Sequence, residues 1–401
     1  MILEQFFAYY LEYTSPAVRD RILGTLPAGV SRDAKGMAGM FGRNDAEALD
    51  FLLRFHNELN DIRENDLYNC IVFDLADNVC FPFFIDYVLN QVPAEARGRF
   101  EADFGTKDLD EIVKLMRENR DRRNQFRKQI ASLLTQEDLF TLNEVIALQN
   151  FSSGGEYSFL NLAYPDIKDI RGKVLDAGCG AGFASLVMSQ SLNVTGVDAC
   201  LPRVNRAQGL ADLLKAGQRD FFARMLKLIE VEMGTLACEV HFPQVDELLT
   251  RDAGQVSFNQ CALDSITFAD SSFDAIFCMD VLEHTYDPAV IIKQFGRVAK
   301  PGARIYITAP NAAGEIHQKY AEDDYGAAFP ALLHMHHFEA EALNAMFAAA
   351  GCEPVKIELF DPISRAEFET MVKDDDREGK AILARSQNEI PRQIFAVYRK
   401  N

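Results

Sequence analysis

The chain has 401 residues, 48% of them hydrophobic and 25% charged, which is enough apolar material for a sizeable core in roughly two or three domains. Its formal net charge of −19 argues against a molecule that grips phosphate backbones, because that task needs a basic face, so no nucleic-acid partner is expected. No apolar run reaches the roughly 18 residues that a spanning helix needs, so no membrane span is expected either.

The N-terminus, Met1-Ile-Leu-Glu-Gln-Phe-Phe7, has neither a basic stretch nor a small-residue cleavage site, so no signal peptide is expected. Residues 1 to about 150 read as mostly helical. Leu49–Leu59 and Leu109–Met116 carry apolar residues at spacings of three and four, and Glu111–Leu134 is a long amphipathic pattern. Within it, Arg117–Lys128 alternates bases with acids and reads as a solvated helix face. Ile71–Val88 is rich in aromatics; Phe81, Phe83, Phe84 and Tyr87 read as core. No chemistry is legible in this part from its residues.

Phe151-Ser-Ser-Gly-Gly155 reads as a linker, after which the pattern changes. Short runs rich in β-branched residues alternate with helical stretches. Strands are predicted at Lys173–Ala177, Val194–Val197, Val256–Ala262, Phe273–Met279, Arg304–Thr308, Val355–Phe360 and Gln393–Tyr398. Such alternation predicts βαβ units on a mostly parallel sheet, with right-handed crossovers that bring the strand C-termini to one ligand-binding edge. About 35 residues near Gln218–Ala253 look inserted ahead of the third strand, with an apolar helix at Phe221–Met233. The eight cysteines (Cys70, Cys80, Cys179, Cys200, Cys238, Cys261, Cys278 and Cys352) are scattered without a CxxC, which reads as reduced thiols in a cytoplasmic protein.

The chemistry sits at the strand ends. Val174-Leu-Asp-Ala-Gly-Cys-Gly-Ala-Gly-Phe183 carries glycines at alternate positions, Gly178, Gly180 and Gly182, before a helical stretch Phe183–Ser191. Glycine lets the backbone turn tightly against a ligand, and a strand, a glycine turn and a helix N-terminus together make a nucleotide-type site. Asp198 ends the second strand about 20 residues further on, where an acid can accept from both hydroxyls of a ribose. Two features argue against a dinucleotide. The spacing is GxGxG rather than GxGxxG, and Asp176 lies at the end of the first strand. A carboxylate there repels a pyrophosphate and tolerates an ammonium or a sulfonium.

At these residues the sequence resembles the class I S-adenosylmethionine-dependent methyltransferases, most of all the small-molecule branch that includes the ubiquinone and menaquinone methyltransferases. Val174 to Gly182 looks like the family's first motif and Asp198 like its ribose-binding acid. Ser272-Phe-Asp-Ala275 and Asp280-Val-Leu-Glu-His284 are similar to its fourth-strand region, and Lys300-Pro-Gly302 to the turn before its fifth strand. The resemblance covers about Lys173–Tyr398. It implies an α/β fold: a Rossmann-like seven-stranded sheet with the last strand antiparallel, over residues 151–401, preceded by a mostly helical N-terminal domain over 1–150. It also implies S-adenosyl-L-methionine as cofactor. The backbone around Gly178 and Gly180 would cradle its methionine portion, Asp176 would interact with its amino group directly or through water, and Asp198 would hold the ribose; Gly182 and Asp280 are further cofactor-binding candidates. The family's adenine-contacting acid, counted back from Phe268, falls on Ala262, which leaves Asp264 as the nearest candidate.

Five of the seven histidines lie between residues 284 and 337. Histidine is the natural general base near neutral pH, so His284, His317, His334 and His337 are the candidate catalytic residues for an acceptor that must lose a proton. Each also has a plain structural reading as a turn or cleft residue. The His334-Met-His-His337 segment offers a possible metal face at His334 and His336, completed by Glu315 or Asp323; Tyr320 and Tyr325 are candidate pocket walls.

The expected function is methyl transfer to an O, N, C or S atom of a small molecule, by a possible homo-oligomer. Three alternatives stay open: a non-catalytic cofactor-binding or interaction protein on the same fold, another use of the same cofactor such as aminopropyl transfer, and a protein or peptide substrate.

Overall fold

The computed structural model describes residues 16–41, 170–180, 182–199, 201–217, 255–285, 287–312, 336, 338–372 and 377–401, with isolated positions among the first 165 residues. The chain divides into two compact units. One is Met1–Arg43 with Glu47–Ser152 and Ile316–Met335; the other is Asn44–Ala46 with Ser153–Glu315 and His336–Asn401.

In the first unit, α1 (Pro16–Gly24) and α2 (Ala34–Phe41) bury Ile22, Met37 and Met40. Asp33 caps α2: its Oδ1 accepts from the Gly36 amide at 2.9 Å and from the Ser31 hydroxyl at 2.8 Å. The aromatic stretch Ile71–Val88, the patterns at Leu109–Met116 and Glu111–Leu134, and the insertion helix Phe221–Met233 lie outside the described residues apart from Glu111.

The second unit is built on a seven-stranded sheet of order β3-β2-β1-β4-β5-β7-β6. Its strands are β1 (Lys173–Ala177), β2 (Asn193–Asp198), β3 (Val256–Gln260), β4 (Phe273–Met279), β5 (Ala299–Pro310), β6 (Cys352–Ser364) and β7 (Glu389–Lys400). The first five run parallel, and β7 enters antiparallel between β5 and β6. This is the expected fold class. The interleaved helices are α3 (Phe183–Met188), α4 (Leu201–Lys215), α5 (Pro288–Val298) and α6 (Ala340–Ala349), with α7 (Arg365–Met371) and α8 (Arg377–Arg385) between β6 and β7. The central strands are buried on both faces, as parallel strands flanked by helices must be: Leu175, Ile276, Phe277, Ile305 and Ile307 are fully buried. Phe277 stacks on Tyr306 with ring centroids 4.5 Å apart, and Phe347 of α6 stacks on Tyr398 of β7 at 3.7 Å.

Some element ends differ from the sequence pattern. The third strand stops at Gln260, not Ala262, because Ala262 starts a 3₁₀ turn over Leu263–Ser265. The helix after the glycine turn stops at Met188 rather than Ser191, where the Ser189 hydroxyl bonds back to the Leu186 carbonyl at 2.7 Å. Lys300-Pro-Gly302 is not a turn ahead of β5 but an irregularity inside it. The register against β4 shifts between Phe273 and Ala275, and Gly302 takes up the slack at φ +82°.

That irregularity has a fixed partner. At the N-terminal edge of the sheet, the Asp274 carboxylate accepts from Lys300 Nζ at 2.8 Å and from the Lys173 amide at 2.8 Å, tying β4 to β5 and β1. Gly172, at φ +99°, makes room for this carboxylate, since a Cβ there would lie 2.1 Å from Asp274 Oδ2. Partial burial pushes the Asp274 carboxyl up, but the bonds from Lys300 and the Lys173 amide outweigh it, so its pKa lies below the ordinary value. A depressed carboxylate contributes stability above its unfolded pKa and loses it as pH falls through the folded one. Asp274→Asn is therefore expected to cost about 1 kcal/mol at pH 7, the scale of a partly exposed pair. The difference from wild type should shrink as pH falls below the ordinary carboxyl range and through the depressed folded value, measured by urea unfolding over an acid pH series.

Candidate functional site

The C-terminal ends of β1, β2 and β4 carry the sequence's acids. Asp176 is 3% exposed near the end of β1, and the Ser185 hydroxyl of α3 donates to its Oδ2 at 2.5 Å. Ser185 reaches it past β2 because residue 196 is glycine: a Cβ there would lie 2.9 Å from Ser185 Oγ and 2.6 Å from the Phe258 ring.

The turn between β1 and α3 is held mainly from β2. The Gly178 and Cys179 amides both donate to the Val197 carbonyl, at 2.8 and 2.9 Å, and the Gly182 amide donates to the Cys179 carbonyl at 2.8 Å. Gly178, Gly180 and Gly182 all have positive φ, at +81°, +52° and +82°. They do different work. A Cβ at Gly178 would strike Val281 at 2.4 Å, and one at Gly182 would strike Ala207 at 2.5 Å and Phe258 at 2.8 Å. Among the described residues, a Cβ at Gly180 would come within 4 Å of the Arg203 guanidinium alone, at 3.9 Å. Gly178 and Gly182 are thus required by neighbouring side chains, whereas the described neighbours leave room at Gly180. Its amide donates to Asp198 Oδ2 at 2.9 Å, which draws the turn and the end of β2 around one small cradle.

Asp280, directly after β4, has φ +50°; its amide donates to Thr308 Oγ1 at 3.0 Å, whose hydroxyl in turn faces Asp280 Oδ1 at 3.1 Å. Glu283 follows, 1% exposed, in the 3₁₀ turn Leu282–His284. Two buried thiols register the resulting field. Burial pushes Cys278 well up, and the charges of Glu283, Asp176 and Asp280 push it further. Burial does the same to Cys179, followed by the charges of Asp176 and Asp198, with Arg203 opposing. The acids at the ends of β1 and β4 thus weight this edge negative, an environment that favours a cationic ligand, while the Arg203 guanidinium offsets them near Gly180.

Asp264 is exposed on the Leu263–Ser265 turn, which its backbone carbonyl ties to α5 through Gln294 Nε2 at 3.2 Å; the Ser265 hydroxyl bonds its carboxylate at 2.9 Å. His284 leaves 36% of its side chain exposed, with Nε2 4.0 Å from Glu283 Oε1. His317, His334 and His337 lie outside the described residues, as do Glu315, Asp323, Tyr320 and Tyr325. Among the described residues no three His, Cys, Asp or Glu side chains gather as a metal needs.

Two contributors escaped the sequence reading, Ser185 and Thr308; His336, read there as half of a metal face, neighbours the β4 turn. The His336 amide donates to the Glu283 carbonyl at 3.2 Å, and its ring stacks near Phe338 at 6.1 Å. Phe338 bridges to Asn311 at the end of β5, and the Ala312 amide donates to its carbonyl at 2.7 Å. The buried Phe338 was the available signal, an apolar anchor right after the histidine cluster.

A family model described as a methyltransferase domain matches residues 118–357, more than half of the chain. The chain belongs to the methyltransferase domain family. Curated relatives include a ubiquinone biosynthesis O-methyltransferase of Pseudomonas aeruginosa (strain UCBPP-PA14), 30% identical over 140 residues, covering 35% of this chain and 44% of that protein. Another of the same name, from Xanthomonas oryzae pv. oryzae (strain PXO99A), is 28% identical over 142 residues, covering 35% and 43%. The match thus spans less than half the length of these relatives. Among solved structures, an S-adenosylmethionine dependent methyltransferase from Mesorhizobium loti superimposes with a TM-score of 0.36 at 14% identity, covering 59% of this chain and 97% of that one. The methyltransferase domain's methyl donor is S-adenosyl-L-methionine, a cation at its sulfonium and its ammonium. The residues present fit it: an open cradle at Gly180, an acid at the end of β2, and a negative field from Asp176, Asp280 and Glu283.

The glycines can be ranked. Gly180→Ala should lose about 1 kcal/mol, the cost of a left-handed non-glycine residue. Gly178→Ala should lose about 3 kcal/mol, because a steric clash with Val281 adds to the same backbone cost. Urea denaturation of the two variants measures both values, and the order Gly178 above Gly180 is the expected outcome.

Proposed function

We propose that this chain moves a methyl group from S-adenosyl-L-methionine to a small-molecule acceptor. The observation that carries the reading is the bond from the Gly180 amide to Asp198 Oδ2 beside an open cradle. It holds the acid at the end of β2 and the glycine turn in one pre-set geometry. When bound, the cofactor supplies a methyl on a positively charged sulfur, ready for in-line displacement.

The chain's own residues then position and screen. Gly178, Gly180 and Gly182 present backbone without side-chain bulk. Asp176 is almost wholly buried and engaged by Ser185, so it acts as a fixed negative charge beneath the ligand. Asp280, bonded to Thr308, would hold the methionine portion, and Asp264 would hold the adenine. Positioning the acceptor in line is the main catalytic contribution. For an acceptor that must lose a proton, His284 is the described candidate base, with His317, His334 and His337 as further candidates. The relatives' name favours an oxygen acceptor. Residues 1–150 are read as a helical domain and 151–401 as the methyltransferase domain, with an insertion at about 218–253.

Among the described residues no helix is long and apolar enough to cross a membrane. Cys179, Cys261, Cys278 and Cys352 are free thiols, which supports a reducing, cytoplasmic setting. The strongly negative formal charge of −19 argues against a nucleic-acid substrate.

Titration calorimetry with S-adenosylhomocysteine tests the site. Asp198→Ala removes a carboxylate that accepts from the ribose, so affinity should fall by about ten- to hundredfold. Unchanged affinity would sink the assignment. Incubation with S-adenosylmethionine and a panel of phenols, amines and thiols tests the reaction. S-adenosylhomocysteine release is expected. Methylthioadenosine release would instead show aminopropyl transfer, and binding without turnover across the panel would favour a non-catalytic binding protein.

A further inference from the structure

S-adenosyl-L-methionine carries three charges on its methionine portion: a sulfonium, an ammonium and a carboxylate. The strand-end acids suit the two cations. Asp176 and Asp198 push the Cys179 thiol up, and Asp176, Asp280 and Glu283 do the same to Cys278, as negative charges beside the glycine turn must. The same field works against the carboxylate. A bound cofactor therefore needs a cation at the cradle, on the side where the glycine backbone leaves room.

Arg203 meets that need. It lies on the first turn of α4, which begins just after the end of β2. Its Nη1 is 3.9 Å from the position that a Cβ on Gly180 would take, and among the described residues nothing else comes within 4 Å of that position. The guanidinium therefore borders the room at Gly180, whose amide donates to Asp198 Oδ2 at 2.9 Å. Among the described residues it is the cation that opposes the acids at Cys179, the residue between the two cradle glycines. α4 itself gains nothing from this charge, since a cation on the first turn of a helix opposes the helix dipole. A guanidinium also suits a carboxylate: its planar fork can donate to both oxygens at once, and it keeps its proton at any working pH.

We propose that Arg203 binds the carboxylate of the cofactor's methionine portion, so that the chain selects a cofactor that keeps this group. The assignment rests on the methyl-transfer reading and adds to it a residue outside the strand-end motifs. Titration calorimetry of the full chain with two ligands tests it. One is S-adenosylhomocysteine; the other is its decarboxylated analogue, which keeps the ammonium, the thioether, the ribose and the adenine. Wild type should bind S-adenosylhomocysteine about tenfold or more tighter than the analogue. Arg203→Met keeps a long side chain and removes the charge. It should bind S-adenosylhomocysteine about ten- to hundredfold more weakly than wild type, so that the preference disappears. It should bind the analogue at least as tightly as wild type does, which also shows that the variant is folded with Asp198 in place. Arg203→Lys keeps a cation without the fork and should retain part of the preference. Equal weakening of both ligands by Arg203→Met would overturn the assignment, because the guanidinium would then serve Asp198 or the fold. Unchanged S-adenosylhomocysteine affinity in Arg203→Met would overturn it too. A wild-type chain that binds neither ligand would overturn the cofactor reading of the site and this assignment with it.

Discussion

Asp176 is a carboxylate with 3% exposure, and a buried charge of that kind is tolerated only when its oxygens are hydrogen-bonded. The Ser185 hydroxyl at 2.5 Å answers that need, and much of the surrounding geometry follows from it. Ser185 sits on the first turn of α3, so α3 must start close to the end of β1, and the left-handed Gly182 starts it there. The line from Ser185 to Asp176 passes β2, so β2 must lack a side chain at that level, and residue 196 is glycine. Phe258 of β3 fills the space that Gly196 and Gly182 leave. Two glycines far apart in sequence are thus fixed by one phenylalanine and one buried acid.

The same acid sets the sign of the site. Asp176, Asp280 and Glu283 act together on the Cys278 thiol, and Asp176 with Asp198 on the Cys179 thiol, so four carboxylates converge on the ends of three adjacent strands. A phosphate would be repelled at the ends of β1 and β4, although the glycine turn and helix N-terminus resemble those of phosphate sites. The field rather than the fold separates a sulfonium-type ligand from a dinucleotide. The turn conformation itself is shared; the strand-end acids discriminate.

The sheet was legible because its strands are short β-branched runs between glycine turns, and periodicity reports burial directly. β1 and β4 were readable to the residue, since Lys173–Ala177 and Phe273–Met279 are bounded by residues that cannot continue a buried strand. The Lys300-Pro-Gly302 irregularity was not, because a proline and a glycine read as a turn whether or not a neighbouring strand pairs across them. Only the register against Phe273 and Ala275 shows that β5 has already begun. In the site, Gly178, Gly180, Asp176 and Asp198 were legible from local spacing. Ser185 and Thr308 were not, because each acts on a residue from another element and leaves no periodic trace. Thr308 lies 28 positions from Asp280, and the link is made only by β4 pairing with β5.

The two ends of the sheet are built to different rules. β1, β2 and β3 run five or six residues, just long enough to deliver their C-termini to the cradle. β6 and β7 run 13 and 12 residues and contribute no described side chain to the strand-end acids. α6 covers β7 through Phe347 on Tyr398, yet Ile357 and Leu359, one strand further out, keep their exposure. Strands lie about 4.8 Å apart, so β6, four places from β1, is about 19 Å from the glycine turn across the sheet. The two halves of the sheet therefore answer to separate demands: the short parallel strands to the charge of a ligand, and the long antiparallel ones to packing, with Phe347 of α6 stacked on Tyr398 of β7.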